Sequence, residues 1–135
     1  MEDLTNLLHC GNHSLVVANG DICTFDGRGI ADLYDLWSND PGFLDGASIA
    51  DKVIGKGAAA LVILGHAAEL YADIISESAL DLFHGSPVKV CFGQKVPYIV
   101  NRAGDGICPV EILCRNCKTA EECLPLINDF MKKDE

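Results

Sequence analysis

Four cysteines close to the C-terminal end have a spacing that resembles a metal site. The pattern C-x5-C-x2-C-x5-C joins Cys108, Cys114, Cys117 and Cys123, and cysteine pairs of this kind bind zinc or iron–sulfur clusters. Cys114 and Cys117 also have the i, i+3 spacing of one buried helix face or of its terminating turn. We therefore expect free thiols with no metal and no cofactor, and a cysteine-bound metal or cluster module is the alternative.

Cys108 is the best candidate for a catalytic nucleophile. Pro109 follows it and favours the first turn of a helix, and a helix N-terminus stabilises a thiolate. Asn101 and Arg102 precede this cysteine by a glycine-rich loop, and the arginine would stabilise the thiolate further. No histidine is an obvious base for the thiol. The competing interpretation is a structural cysteine beside an arginine that binds an anion or pairs with Glu111.

Two lysines four residues apart suggest an anion site. The apolar segment from Ser48 to Leu64 is predicted as one central helix, on which Lys52 and Lys56 share a stripe near the N-terminal half. Cations there oppose the helix dipole by about 0.3–1 kcal/mol each, and a bound phosphate or carboxylate would offset that cost. Alternatively, both lysines extend to solvent and pair with Asp51 or other acids.

The same stretch, ADKVIGKG, is close to a phosphate-binding loop. It lacks the Ser or Thr that binds magnesium, and it is predicted inside a helix rather than between a strand and a helix. A nucleotide-phosphate loop is therefore excluded.

Ser76 and Glu77 follow the predicted strand ELYADIIS. The carboxyl ends of parallel strands are where open α/β sheets place their ligands, so Glu77 is a second catalytic candidate that would handle a proton or an amine. Ser76 is equally suited to cap the helix that follows.

His66 and Glu69 resemble the His-x-Glu of a zinc deaminase but lack its geometry. They are three residues apart instead of two, and they follow the predicted central helix instead of opening it. His66 is therefore predicted to be a loop or surface histidine.

Hydrophobic periodicity and turn residues predict the elements that must position these side chains. Asn19-Gly20 is a hairpin signal between two β-rich runs. The predicted order is a helix at 2–10, strands at 14–18 and 21–25, helices at 30–37 and 48–64, a strand at 69–76 with a helix after it, strands at 88–93 and 96–101, and helices from Pro109 and from about Thr119. This order predicts one α/β domain over 1–135 with a mixed five-stranded sheet, parallel in its middle. Its C-terminal part, 108–135, is helical and cysteine-rich.

Several segments resemble a bacterial and archaeal family, domain-of-unknown-function family 1893. They are SLVVANGD, GASIADKVIGKGAAALVI, LYADIISESAL and VPYIVNRAGDGICPVE. The resemblance implies a three-layer α/β/α, cytidine deaminase-like fold without zinc ligands, since neither His-x-Glu nor Pro-Cys-x-x-Cys is present at the corresponding positions. It also implies a homo-oligomer, such as a dimer, and no established reaction.

Composition narrows the classes of partner. The formal net charge of −10 over 135 residues argues against a nucleic-acid partner. The longest apolar run, Ala58 to Leu64, is too short to cross a membrane, and the N-terminus lacks the pattern of an export signal. A cytoplasmic protein is expected.

The function predicted from the sequence is binding of a small anionic or nucleotide-like metabolite. The expected ligand-binding residues are Lys52, Lys56, Ser76, Glu77, Asn101, Arg102 and Cys108. A metal-independent enzyme that uses Cys108 or Glu77 is the alternative, and zinc-dependent deamination is not expected.

Overall fold

The computed structural model describes residues 2–27, 30–100, 104 and 106–133. In chain order the helices and strands are α1 (Glu2–Cys10), β1 (Leu15–Asn19), β2 (Asp21–Phe25), α2 (Ala31–Asn39), α3 (Pro41–Leu44), β3 (Ser48–Ile54), α4 (Lys56–Leu64), β4 (Glu69–Ser76), α5 (Glu77–His84), β5 (Lys89–Val96), α6 (Pro109–Leu113) and α7 (Ala120–Lys133). Among the described helices, none is long and apolar enough to span a membrane.

The strands form one five-stranded sheet in the order β2-β1-β3-β4-β5. β1 is antiparallel to both β2 and β3, whereas β3, β4 and β5 run parallel. The predicted mixed sheet is therefore confirmed. The predicted hairpin is confirmed as well, because β1 and β2 meet at Gly20, whose φ of +83° is easily adopted only without a side chain.

The predicted central helix over 48–64 is wrong in its first half. Ser48–Ile54 is the strand β3, which pairs with β1 on one side and β4 on the other. A strand buried between two neighbours is apolar on both faces, so its pattern resembles that of a buried helix. Helix α4 begins only at Lys56, after one extended residue, Gly55.

The second wrong element is the strand predicted at 96–101. β5 extends to Val96, and the chain then leaves the sheet over 97–99, with one isolated bridge between Val100 and Ile107. Pro97 ends the strand because it has no N–H for the ladder. The next buried N–H, that of Ile99, binds a carboxyl group instead of a strand.

Two apolar clusters hold the helices to the sheet. In β1, Val16 joins Leu4 and Leu8 of α1, whereas the next residue, Val17, joins the larger cluster. This alternation follows from the opposite directions of neighbouring strand side chains. The larger cluster includes α4, which is almost entirely buried and packs against α5 and α7.

Candidate functional site

Two parallel strands are followed almost directly by helices, and this brings two helix N-termini to one edge of the sheet. β3 passes through Gly55 into α4, and β4 passes from Ser76 into α5. The carboxyl ends of adjacent parallel strands lie side by side, which is where α/β sheets bind ligands.

The carboxyl group of Glu111, on α6, joins these two helix N-termini. Its Oε1 accepts a hydrogen bond from the backbone N–H of Lys56, with an N···O distance of 2.6 Å. The same oxygen accepts from the hydroxyls of Ser76 and Ser78 at 3.2 and 3.4 Å, and Oε2 accepts from the N–H of Ile99 at 3.0 Å. Glu111 is buried. Its two carboxyl oxygens therefore supply hydrogen-bond acceptors to N–H and O–H groups that would otherwise need water as a partner.

Two glycines make room for α6 against α4. A Cβ on Gly55 would lie 2.9 Å from Oε1 of Glu111, and a Cβ on Gly57 would overlap the side chain of Val110. The sequence Gly55-Lys56-Gly57 therefore allows the close approach of α6 that brings Glu111 to the helix N-termini.

Lys56 is buried and its side chain is held by backbone carbonyls. Its Nζ donates to the carbonyl oxygen of Arg115 at 3.3 Å and to that of Cys117. Hydrogen bonds of this kind allow a lysine to be buried. These hydrogen bonds also occupy the ammonium group of Lys56, which the predicted anion site would have used.

A cavity of about 850 Å³ opens beside this junction. Its apolar walls include Leu15, Ile30, Leu33, Val53, Phe130 and Met131. Its polar groups come from Asp32, Asp51, Lys52, Cys108 and Glu111. The volume and the mostly apolar lining with a few polar groups are typical of a small-molecule site.

Asp51 is the most perturbed acid in this cavity. Burial raises its pKa to about 7, although the backbone N–H groups of Val53 and Lys52 favour the charged form. The nearby charges of Asp73 and Asp32 raise it further. A carboxyl group with a pKa near neutrality in a cleft is a candidate for binding or acid–base chemistry.

Asp32 and Lys52 are each hydrogen-bonded to another part of the chain. Asp32 accepts a hydrogen bond from the N–H of Gly27 at 2.9 Å. Lys52 donates from Nζ to Oδ1 of Asn12 at 3.0 Å. Since Lys52 lies on β3 and Lys56 on α4, the two lysines do not form the predicted helical stripe.

The structure brings together only some of the predicted ligand-binding residues. Lys52, Lys56 and Cys108 line the cavity. Ser76 caps α5, where its Oγ accepts from the N–H of Ala79 at 3.2 Å, and exposed Glu77 is not part of the cavity lining. Asn101 and Arg102 lie outside the described residues.

The remaining predicted candidates are placed as follows. His66 is exposed in the turn after α4, which confirms the prediction of a surface histidine. Cys114 and Cys123 are fully buried and Cys117 is half-buried. Within the described ranges, no group of three or more His, Cys, Asp and Glu side chains is arranged to hold a metal ion.

Sequence reasoning missed three acids that shape the site. Asp51 and Glu111 are not among the residues predicted for the site, and Asp32 has no predicted role. Assigning 48–54 to a strand would have placed Asp51 in the middle of a central strand. No local signal identifies Glu111, because its donors are 12 to 55 residues away in the chain.

Comparison with known proteins places the chain in a family. The family model described as Domain of unknown function (DUF1893) matches residues 3–131. The chain belongs to this family. Among solved structures it is similar to a DUF1893 family protein (TM1506) from Thermotoga maritima, with 22% identity, a TM-score of 0.87, and coverage of 95% of this chain and 87% of that chain. No curated protein matches it.

The predicted membership of family 1893 is thereby confirmed. At 22% identity, the likeness to the Thermotoga maritima DUF1893 protein shows a shared fold alone. The functional argument therefore depends on the residues of this chain.

Proposed function

We propose that this protein binds a small nucleoside- or nucleotide-like metabolite in the cavity beside β3. The observation that carries this proposal is the cavity of about 850 Å³, in which apolar walls surround the carboxyl groups of Asp51 and Asp32. A planar heterocycle fits such walls, and its amino or ring N–H groups are donors that carboxyl oxygens accept.

The polar groups of the cavity favour a ligand whose hydrogen-bond donors face the carboxyl groups of Asp32 and Asp51. The two lysines that suggested an anion are bonded to protein oxygens, Lys56 to carbonyls and Lys52 to Asn12. A phosphate could bind Lys52 only if Lys52 released Asn12. We therefore propose that the nucleobase is the part of the ligand that the cavity requires, and that a phosphate group is optional.

The binding test is calorimetry with matched nucleobases, nucleosides and mononucleotides at pH 6 and pH 8. We expect affinity to rise with pH, because Asp51 loses its proton near pH 7 and a carboxylate is the stronger acceptor. Asp51→Asn should weaken binding at pH 8 by about 10-fold, equivalent to about 1.4 kcal/mol.

Two lysine substitutions test whether the phosphate group of the ligand contributes to binding. If phosphate contributes, Lys52→Ala weakens mononucleotides but not nucleosides, whereas Lys89→Ala on exposed β5 changes neither. Equal affinity in wild type and Asp51→Asn, or no binding by any of the three compound classes, would contradict the proposal.

We also propose that the fold is a three-layer, cytidine deaminase-like arrangement that has lost its zinc site. Two helix openings support this proposal: α4 begins Gly55-Lys56-Gly57 and α5 begins Ser76-Glu77-Ser78-Ala79. Neither contains the His-x-Glu or Pro-Cys-x-x-Cys that a zinc deaminase places there. A carboxyl group, that of Glu111, joins the two openings instead.

A metal-independent reaction at Cys108 is the second candidate, because its side chain lines the same cavity as Asp51. Its test is the rate of alkylation of Cys108 relative to exposed Cys10, with and without a bound nucleoside. Protection of Cys108 alone supports a role in the site, and identical rates count against it.

We further propose a cytoplasmic homodimer that does not bind nucleic acid. The net charge of −10 supports the last point. Sedimentation velocity at micromolar concentration measures the dimer directly, and a monomer at all concentrations would contradict it.

A further inference from the structure

The side-chain donors that line the cavity beside β3 are bonded to protein oxygens. The hydroxyl of Ser14 donates to a backbone carbonyl at 3.0 Å. The Nζ atoms of Lys52 and Lys56 donate to Asn12 and to two backbone carbonyls, respectively. Among the described side chains of the lining, the weakly donating thiol of Cys108 is the one donor left. A ligand of this cavity must therefore supply hydrogen-bond donors itself.

Two carboxyl groups of the lining, those of Asp32 and Asp51, have acceptor positions that the described hydrogen bonds do not use. The N–H of Gly27 donates to Oδ2 of Asp32 at 2.9 Å, and the N–H of Val53 donates to Oδ1 of Asp51 at 3.2 Å. An ionised carboxylate has about four acceptor positions on its two oxygens, and no donor. Each group can therefore accept further hydrogen bonds from a ligand.

Nucleobases differ in the hydrogen-bonding edge that they present to such a carboxylate. Guanine has a ring N–H beside an amino group, so it presents two adjacent donors to the two oxygens of one carboxylate. Adenine and cytosine have an unprotonated ring nitrogen beside the amino group, and its lone pair repels a carboxylate. Uracil has a single ring N–H between two carbonyls. Guanine is therefore the base whose edge matches a carboxylate best.

The first turn of α4 suits the 6-oxo group that guanine carries next to its ring N–H. Helix α4 begins at Lys56, so the backbone N–H groups of Gly57 and Ala58 have no acceptor within the helix. Both residues line the cavity. A carbonyl oxygen of the ligand can accept from such groups, whereas adenine carries an amino group at the same position and would place donors against donors.

We propose that the cavity selects a guanine nucleoside, with the ring N–H and 2-amino group of the base on the carboxylate of Asp51 and the ribose hydroxyls on that of Asp32. This inference rests on the nucleoside function proposed above and adds which base is bound. Asp51 lies in the middle of β3, which pairs with strands on both sides, so it belongs to the floor of the cavity. Asp32 lies at the start of α2 and is bonded to exposed Gly27, where the hydroxyls of a sugar keep contact with water.

Replacing Asp51 by Asn should reverse the polarity of this contact. The N–H of Val53 requires an oxygen, so the amide oxygen takes the place of Oδ1. The amide NH₂ group then takes the place of Oδ2, and a donor replaces an acceptor. Such a group opposes the donors of guanine and can donate to the ring nitrogen of adenine or cytosine.

The decisive experiment is calorimetric titration of wild type with guanosine, inosine, adenosine and cytidine, directly or by competition. The titrations are made at pH 8, above the pKa of Asp51 of about 7. Guanosine should bind most tightly. Inosine lacks the 2-amino group and should bind about 10-fold more weakly. Adenosine and cytidine should bind at least about 100-fold more weakly, because their unprotonated ring nitrogen meets the carboxylate.

Three variants assign the preference to one carboxyl group. Asp51→Asn should reduce the ratio of guanosine affinity to adenosine affinity by at least about 10-fold. Asp32→Asn should weaken both nucleosides to the same extent and leave that ratio unchanged, because the sugar is common to both. Asp81→Asn, at an exposed position on α5, is the control and should change neither affinity.

Two results would overturn the selection of guanine and leave the proposed nucleoside function intact. The first is adenosine or cytidine binding to wild type as tightly as guanosine. The second is an unchanged preference for guanosine in Asp51→Asn. Binding of none of the four nucleosides would instead overturn both proposals. Because the four nucleosides are compared on the wild-type chain, that result does not depend on whether a variant folds.

Discussion

Replacing Asp51 by Asn should stabilise the protein above neutral pH. In the folded chain, burial makes the charged carboxylate of Asp51 unfavourable, and its pKa rises from 3.8 to about 7. Asparagine has nearly the same shape, keeps an oxygen for the N–H of Val53, and carries no charge. The variant therefore removes the cost of the buried charge and little else.

The sign follows from where the proton is bound. Below about pH 4, Asp51 is protonated in both states and contributes no pH-dependent cost. Between about pH 4 and pH 7 the folded chain binds more protons than the unfolded chain, so stability falls as pH rises, by up to about 1.4 kcal/mol per pH unit. Above about pH 7 the whole cost is present.

The size of the effect follows from the same two pKa values. The pKa of Asp51 rises by about three units on folding. About two thirds of the resulting loss of stability develops between pH 5 and pH 8, which corresponds to about 2.7 kcal/mol. Water at the cavity mouth screens part of this charge. We therefore expect the free energy of unfolding of Asp51→Asn to gain about 2 kcal/mol relative to wild type across that range.

The assay is urea unfolding of both proteins, monitored by circular dichroism at half-unit intervals from pH 5 to pH 8.5. The difference between the two unfolding free energies isolates the contribution of Asp51, because all other ionisable groups are the same in both proteins. Asp81→Asn, at an exposed position on α5, is the control and should show no growing difference. A constant difference between Asp51→Asn and wild type would refute the assigned environment of Asp51.

Three further substitutions test the packing around the site, each by urea unfolding at pH 7. Gly57→Ala should destabilise the fold by about 1–3 kcal/mol because its methyl group overlaps a valine of α6, whereas Gly85→Ala, with open space around it, should change stability by less than about 0.5 kcal/mol. Glu111→Gln should cost about 1–3 kcal/mol because it replaces one of two accepting oxygens with a donor, and exposed Glu77→Gln should be nearly neutral. Lys56→Met should cost about 1–3 kcal/mol by leaving two part-buried carbonyl oxygens without their donor. Values near zero for all three would contradict the described junction.

Elements with local signals could be predicted from the sequence. Asn19-Gly20 identifies the hairpin because the turn itself requires positive φ. The strand Glu69–Ser76 and the capping of α5 by Ser76 were both predictable, since a strand-length apolar run ends there at a residue with a capping hydroxyl. Pro109 identified the start of α6 for the same local reason.

The junction of β3 and α4 could not be predicted in this way. Ser48–Leu64 is apolar over nearly its whole length, and burial on all sides removes the periodicity that distinguishes a strand from a helix. The helix predicted over 48–64 includes Asp51 and Lys52, which lie on β3 in the structure. The cavity beside β3 could therefore not be predicted. Glu111 shows a second limit, because a carboxyl group satisfied by four distant donors leaves no pattern in its own neighbourhood.

Retention of nucleoside-like compounds tests the central claim most directly. Wild-type protein is equilibrated by dialysis against a mixture of nucleobases, nucleosides and mononucleotides, and the retained compounds are measured by mass spectrometry. Val53→Trp is run in parallel, because Val53 lines the cavity with 41% of its surface exposed, and an indole there fills the cavity without overpacking the core. The account predicts at least one compound enriched on wild type and lost on Val53→Trp. Equal retention by both proteins, or by neither, would contradict it.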